Sequence, residues 1–258
     1  DLVRSRGLGD VYKRQVGAHP AQPDHCDLHV HKVASFSGGY GGRLMNSLER
    51  DVVGAVAAHS NLAAAVSPLT DAQLREPSLL PGWTVGHVVA HLVHNARSHT
   101  RMLVAANVGR TVAQYPGGAQ QRTEEIEAGS QLTAADLTTQ LVKADDELEA
   151  AWAAMTPEGW KGTGESFAGT VSMDDLPFRR WREVTLHHTD LGLGYHWSQW
   201  PAQYVRLELA RMTMLWASRK PMGLTTLPPA ALALPEHERV AWLVGRTVPE
   251  GMEPAGIF

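Results

Sequence analysis

The sequence predicts a mainly α protein: an up-and-down four-helix bundle with a small C-terminal appendage. Apolar residues recur with a helical period over several long segments, the connections between them are modest, and threonines stand where helices should start. Helices of this kind bury one stripe each, and packing them side by side is how they do so.

The first helix is Ala-rich and runs from Leu44 to Val66, with Leu44, Leu48, Val52, Val56 and Leu62 near one face; Ser67-Pro68 ends it. Thr70 caps a short turn of helix at "TDAQL", and "REPSLLPG" is a loop. Thr84 caps a long helix to about Val108. "YPGG" at Tyr115–Gly118 breaks the chain, and "QRTEEIEAG" forms a further helix with Gly129 at its C-terminus. Thr133 caps the helix from Ala134 to about Met155, which turns Leu137, Leu141, Leu148 and Trp152 inward. The Gly-rich stretch from Thr156 to Val171 is a loop or short hairpin, and Ser172, Asp174 and Asp175 open a helix to about Gly192. The last long helix runs from Pro201, placed at the first helical position, to about Ser218. Residues 43–219 are therefore assigned to the bundle and 220–258 to a short C-terminal segment, whose one good apolar stretch is "RVAWLVGR".

The first 42 residues have no sustained period and are read as a non-native or disordered leader, with the natural start near Met45. His25, Cys26, His29 and His31 have metal-ligand chemistry, but no core-forming segment surrounds them to fix a site. With 43% hydrophobic residues in 258, the chain can bury a core. A net charge of −4 gives no electrostatic case for nucleic acid or an anionic membrane, and no apolar run approaches a membrane span. One cysteine excludes an internal disulfide framework and suits a reducing, cytoplasmic compartment. Thirteen histidines against one cysteine mean that any bound metal should take nitrogen and oxygen ligands.

"SLLPGWTVGHVVAHLVHNARSHT" carries His87, His91, His94 and His99. The first three share a stripe at i, i+4 and i+7, where a lone histidine is usually a satisfied core residue. "RWREVTLHHTDLG" places Glu183 and His187 four apart on another helix, with Asp190 one turn on. That spacing alone is also that of a surface pair. A helix presenting Glu and His to a helix presenting His is, however, how bundles build interior metal sites. Two histidines and one glutamate leave a fourth position open, the composition of a catalytic zinc site.

With "YPGGAQQRTEEIEAGS" and the late "LVGR", these blocks occur in one order from about Ser47 to Arg246, and the chain resembles the mycothiol-dependent maleylpyruvate isomerases of the DinB-like metalloprotein superfamily. The resemblance implies a DinB-like bundle, zinc held by His91, Glu183 and His187, and an active-site Arg246. His87 and His94 become neighbours of the ligand face, Asp190 an acceptor that orients a ligand imidazole, and His99 ordinary surface or boundary. His188 points about 100° away from His187 and is not a ligand. The family carries a small α/β domain after the bundle, and residues 220–258 are too few and too rich in proline for more than a remnant of it.

The implied reaction converts maleylpyruvate to fumarylpyruvate with mycothiol as thiol cofactor. A thiolate adds to the alkene, the resulting single bond rotates, and elimination leaves the trans isomer. Zinc lowers the thiol pKa, and Arg246 clamps a carboxylate of the dianionic substrate. The same residues would also suit a mycothiol-dependent transferase acting on another electrophile, or a non-catalytic protein that binds zinc or thiol. The implied partners are thus a low-molecular-weight thiol and a small electrophile, with no nucleic acid and no membrane.

Overall fold

The computed structural model describes residues 42–219 and 225–257, with side chains from Ser47 onward; His25, Cys26, His29 and His31 lie outside these residues. In chain order the elements are α1 (Gly42–Val66), α2 (Asp71–Arg75), α3 (Val85–Asn107), α4 (Gly118–Ser130), α5 (Ala134–Ala153), α6 (Pro157–Trp160), β1 (Thr163–Ser166), β2 (Gly169–Ser172), α7 (Leu176–Asp190), α8 (Ala202–Ala217), α9 (Pro229–Ala233) and α10 (Glu236–Leu243). No helix among the described residues is long and apolar enough to cross a membrane.

The chain divides by its contacts into two compact units, one ending at Tyr195 and the other beginning at His196. The first is the four-helix bundle. α1 packs on α7, α3 packs on α5, and the contacts of α1 with α5 and of α3 with α7 close the ring. Consecutive bundle helices α1 and α3 therefore lie across a diagonal, and the connection containing α2 is long enough to carry the chain there. Leu62, Val88, Leu92, Leu103, Leu141, Leu148 and Val184 are fully buried, one apolar stripe per helix as the periodicity requires. α1 and α7 approach most closely at Gly54, where a Cβ would stand 2.4 Å from the Trp181 ring. α4 lies against α3; Gly129 is inside its last turn and not at a C-terminal cap, and a Cβ there would stand 2.8 Å from Ala90 Cβ. β1 and β2 form an antiparallel hairpin with Thr163 opposite Ser172.

A buried polar network joins all four bundle helices. Arg180 of α7 is wholly inaccessible. Its Nε donates to His59 Nε2 of α1 at 3.0 Å, and its Nη1 donates to the Leu92 carbonyl (3.0 Å) and Asn95 Oδ1 (2.8 Å) of α3. Its Nη2 donates to Asp145 Oδ1 of α5 at 2.6 Å. A guanidinium only donates, so His59 Nε2 accepts, and His59 Nδ1–H donates to Glu149 Oε1 of α5 at 2.9 Å. The 3.3 Å approach of Asp145 to the same Nε2 is then not a bond, because that nitrogen has no proton to give. Burial and the neighbouring Arg180 hold His59 neutral, well below the ordinary histidine value. Its ring lies parallel to Trp152, 4° between planes.

In the second unit Pro201 is the N-cap of α8 and not its first helical residue. α8, expected to belong to the bundle, groups instead with the C-terminal segment, because α10 packs along it. Trp216 of α8 meets Trp242 of α10 with ring centroids 5.2 Å apart, and their indole N–H groups donate to the carbonyls of Thr226 and Glu253. Val240, Ala241, Trp242 and Leu243 are buried, as the apolar stretch predicts. Among its described residues this unit has helices and loops but no strand.

Replacing Arg180 by Met would leave Asp145 buried without its guanidinium and should cost about 3–5 kcal/mol of unfolding free energy in urea titration. Adding Asp145→Leu removes the stranded carboxylate and should recover at least half of that loss. A single-mutant loss below about 1 kcal/mol would mean the network does not anchor the bundle.

Candidate metal centre

α3 starts after a turn that is tied to the end of α7. The Ser78 N–H and hydroxyl both donate to the Trp83 carbonyl, and Leu79 N–H donates to the Asp190 carbonyl at 2.8 Å. Thr84 then caps α3 in a capping box whose third residue is His87. His87 Nδ1 lies 2.8 Å from the Thr84 hydroxyl, and Nε2 reaches Glu127 at 3.2 Å. One turn further on, His91 faces α7.

Ligand atoms from His91, Glu183 and His187 all lie within 4.8 Å of one another, which makes them the one group of metal-ligand type with this geometry among the described residues. Glu183 Oε2 sits between the two imidazoles, 3.0 Å from His91 Nε2 and 3.4 Å from His187 Nε2. The rings meet edge to face, 4.7 Å between centroids. His91 is buried, while the Glu183 side chain keeps 34% of its surface open and lines a cavity. Trp83 presents its ring to His91 at 5.8 Å and 60°.

The surrounding groups fix where protons sit. The Asp190 carboxylate accepts from His187 Nδ1 at 2.8 Å, which leaves Nε2 of a neutral His187 free to bind a cation. Arg122 of α4 is 3.3 Å from His91 Nδ1 and stands over the Trp83 ring. Since Arg122 only donates, this contact places the His91 proton on Nε2, toward Glu183. Coordination through His91 Nε2 moves that proton to Nδ1 and requires Arg122 to turn aside. With that one adjustment, two imidazole nitrogens and a carboxylate oxygen are a donor set that fits a divalent metal of the zinc type.

Burial lowers the His91 pKa to about 4, opposed in part by Glu183. Burial would also lower His187, but Asp190 and Glu183 outweigh it and the net shift is upward. Burial would raise Glu183, yet the hydrogen bonds from His187 and His91 hold it well below the usual carboxylate range.

Of the residues expected around the ligands, Asp190 bonds directly to His187. His87 and His94 do not join the triad. His87 completes the helix cap, and His94 Nδ1 pairs with Glu125 of α4 at 3.2 Å, because both face α4 and not α7. His188 stacks on Tyr195 at 4.1 Å, apart from the triad. His99 is not surface: it is 3% exposed, and burial drives its pKa to about 3. Arg246 belongs to the second unit, immediately after α10. Gly245 adopts φ +74° with nothing within 4 Å of a Cβ, so it serves the left-handed helix stop and not a close approach. The Gly245 and Arg246 N–H groups donate to the carbonyls of Trp242 and Ala241, and Arg246 Nη1 donates to the Val244 carbonyl at 2.7 Å.

Sequence reasoning missed Arg122 and Arg180. Arg122 lies on a helix with no apolar stripe to show which face is inward. Arg180 is one of three arginines in "RRWR". Its partner did leave a signal, since Asp145 falls four residues after Leu141 on the apolar stripe of α5.

Residues 55–192 match the family model of the mycothiol maleylpyruvate isomerase N-terminal domain. Two solved structures are similar to the chain, those of the mycothiol-dependent maleylpyruvate isomerase and of a histidine-to-alanine mutant of it. Each has a TM-score of 0.68 and 26% identity, covering 78% of this chain and 90% of the other. A search of curated protein sequences returns no match.

A metal ligand must be deprotonated, so zinc competes with the proton on His187. Because that pKa is raised, zinc affinity should fall as pH drops from 8 to 6, by about tenfold per unit once His187 is protonated. His91 should not contribute until about pH 4. Asp190→Asn should weaken zinc binding at pH 8 by about 10–100-fold and shift the fall to lower pH. Chelator competition titrations read both effects; a flat affinity from pH 8 to 6 contradicts the assignment.

Proposed function

The chain belongs to the mycothiol maleylpyruvate isomerase family, and from that premise we propose that it is a zinc-dependent, mycothiol-dependent cis-trans isomerase that converts maleylpyruvate to fumarylpyruvate. The observation that carries this reading is the convergence of His91, Glu183 and His187 within 4.8 Å. The family match supplies the thiol and the substrate class.

An alkene conjugated to carbonyl groups keeps its double-bond geometry. Addition of a thiolate to one alkene carbon moves the π electrons toward the carbonyl and leaves a single bond that rotates. Elimination returns the electrons, expels the thiolate and restores the alkene in its trans form. The thiol is regenerated, and no oxidant or reductant is consumed. Zinc, when bound, supplies the positive charge that lowers a thiol pKa and offers a fourth coordination position.

The chain's own residues hold this arrangement. His91, Glu183 and His187 would hold the metal, and Asp190 keeps the His187 proton on Nδ1. Trp83 packs against the His91 ring and limits its rotation. The family resemblance implies a carboxylate-binding role for Arg246, whose planar guanidinium can form two parallel hydrogen bonds, and the kinetics of its variants test that role.

Zinc-loaded protein should isomerise maleylpyruvate only when mycothiol is present, and should lose turnover when stripped by a chelator. Consumption of mycothiol into a stable conjugate would point instead to a transferase. Arg246→Ala should lower kcat/KM at least ~10-fold, about 1.4 kcal/mol of transition-state stabilisation, with zinc content intact. Arg246→Lys should also be impaired, because it keeps the charge but not the fork. Unchanged kinetics in Arg246→Ala would remove Arg246 from the site.

A further inference from the structure

Arg122 is the one basic residue of α4, and it stands among three glutamates. Each of those carboxylates is engaged elsewhere. Glu124 accepts from Gln120, Glu125 accepts from Gln121 and pairs with His94 of α3, and Glu127 meets His87. Arg122 pairs with none of them. Its contacts are His91 Nδ1 at 3.3 Å and the face of the Trp83 ring, 5.8 Å from the centroid. Among the described residues no carboxylate forms an ion pair with it.

That is a poor exchange for a charge partly withdrawn from water. Arg122 is half-buried, and a guanidinium in such a place normally gains an opposite charge or several hydrogen bonds. Here it has one hydrogen bond, longer than the usual N–H range of about 2.7–3.2 Å, to a neutral imidazole. The Trp83 face attracts the cation but neutralises none of its charge. Glu183 does not neutralise it either, because that carboxylate meets the opposite nitrogen of His91 and is shared between two imidazoles.

The contact with His91 is also one that a metal-bound site cannot keep. Coordination by His91 Nε2 leaves the ring proton on Nδ1, and a donor then faces a donor. Arg122 has to turn away. The guanidinium that turns is still a cation, rooted on α4 beside Trp83, with one imidazole ring between its present position and the coordinating nitrogen. A carboxylate is the partner that its planar fork of N–H groups matches, through two parallel bonds.

We propose that Arg122 binds a carboxylate of the acidic substrate, and that the guanidinium which holds His91 Nδ1 in the metal-free protein is given over to that anion in the loaded one. The proposal rests on the isomerase reading for the identity of the substrate, and it deepens that reading by giving the dianion a carboxylate partner in the same unit as the triad. Anion and metal are then linked. Each favours the state in which Arg122 has left His91, so each tightens the binding of the other by the same factor.

The test is calorimetric titration of maleate, a small cis-unsaturated dicarboxylate, into the metal-free and the zinc-loaded full chain. Wild type should bind maleate at least ~10-fold more tightly when loaded. Arg122→Gln should weaken maleate binding to the loaded protein at least ~10-fold and abolish most of the difference between the two forms. Its zinc affinity without maleate should be equal to wild type or higher, since the competitor for His91 is gone, and its melting temperature should be unchanged. Arg122→Lys keeps the charge without the fork and should fall between, which keeps the test available if the glutamine variant does not fold. Equal maleate affinity in wild type and either variant would overturn the proposal, because the anion would then be held elsewhere, on the metal included. Absence of maleate binding in loaded wild type would overturn it as well. The isomerase reading fails separately. Arg122-dependent maleate binding without mycothiol-dependent turnover would reject that reaction and keep the site, whereas turnover with maleate binding indifferent to Arg122 would reject the site alone.

Discussion

The bundle depends on one buried guanidinium. Arg180 takes its acceptors from α1, α3 and α5, so it registers α7 against the three other bundle helices at a single level. Apolar stripes alone specify that helices pack, but they tolerate sliding by a turn. Directional bonds to a ring nitrogen, a carbonyl, an amide oxygen and a carboxylate do not. Two of these acceptors are in or beside the ligand turn of α3: Leu92 follows His91 directly, and Asn95 lies one turn after it. On α7, Glu183 and His187 follow Arg180 by three and seven residues, on nearly the same face. The interaction that sets helix register thereby sets where the three ligand groups meet.

The polar groups around the triad divide the work. Asp190 belongs to α7, and its carbonyl also receives the Leu79 N–H from the turn before α3. The acceptor that orients His187 is thus coupled to the start of the helix that carries His91. Arg122 approaches from α4 and reads the opposite nitrogen of His91. The two imidazoles are therefore held by opposite kinds of partner, an acceptor behind His187 and a donor behind His91. Glu183 between them stays ionised because both face it.

Much of this was legible in the sequence, and for reasons that can be named. Thr70, Thr84 and Thr133 mark helix starts because an oxygen one residue before a helix satisfies an otherwise unpaired N–H, and all three act as caps. Leu137, Leu141, Leu148 and Trp152 are buried because their spacing fixes one face. The triad was reached by adding a family resemblance to helical spacing, since i,i+4 spacing alone equally describes a surface pair. Which way His87, His94 and His99 turn was not legible, because it depends on which neighbour each face meets. Two face α4, a helix with little apolar patterning, and the third lines a cavity whose wall includes residues of the hairpin. The ring order of the bundle was hidden for a similar reason: loop length permits a diagonal crossing but does not require one. Gly129 sits where the sequence places a helix end, but the close approach to Ala90 and not a positive φ requires it there, and a glycine in a sequence does not disclose which of the two applies.

The central claim is that helix register brings His91, Glu183 and His187 to one metal ion. Zinc-edge X-ray absorption on the stoichiometrically loaded protein tests it most directly. The account predicts a light-atom shell at about 2.0–2.2 Å with the multiple-scattering signature of two imidazoles and no sulfur in the thiol-free protein, and loss of one imidazole in His91→Ala. A sulfur shell without added thiol, or a spectrum unchanged by His91→Ala, would contradict it.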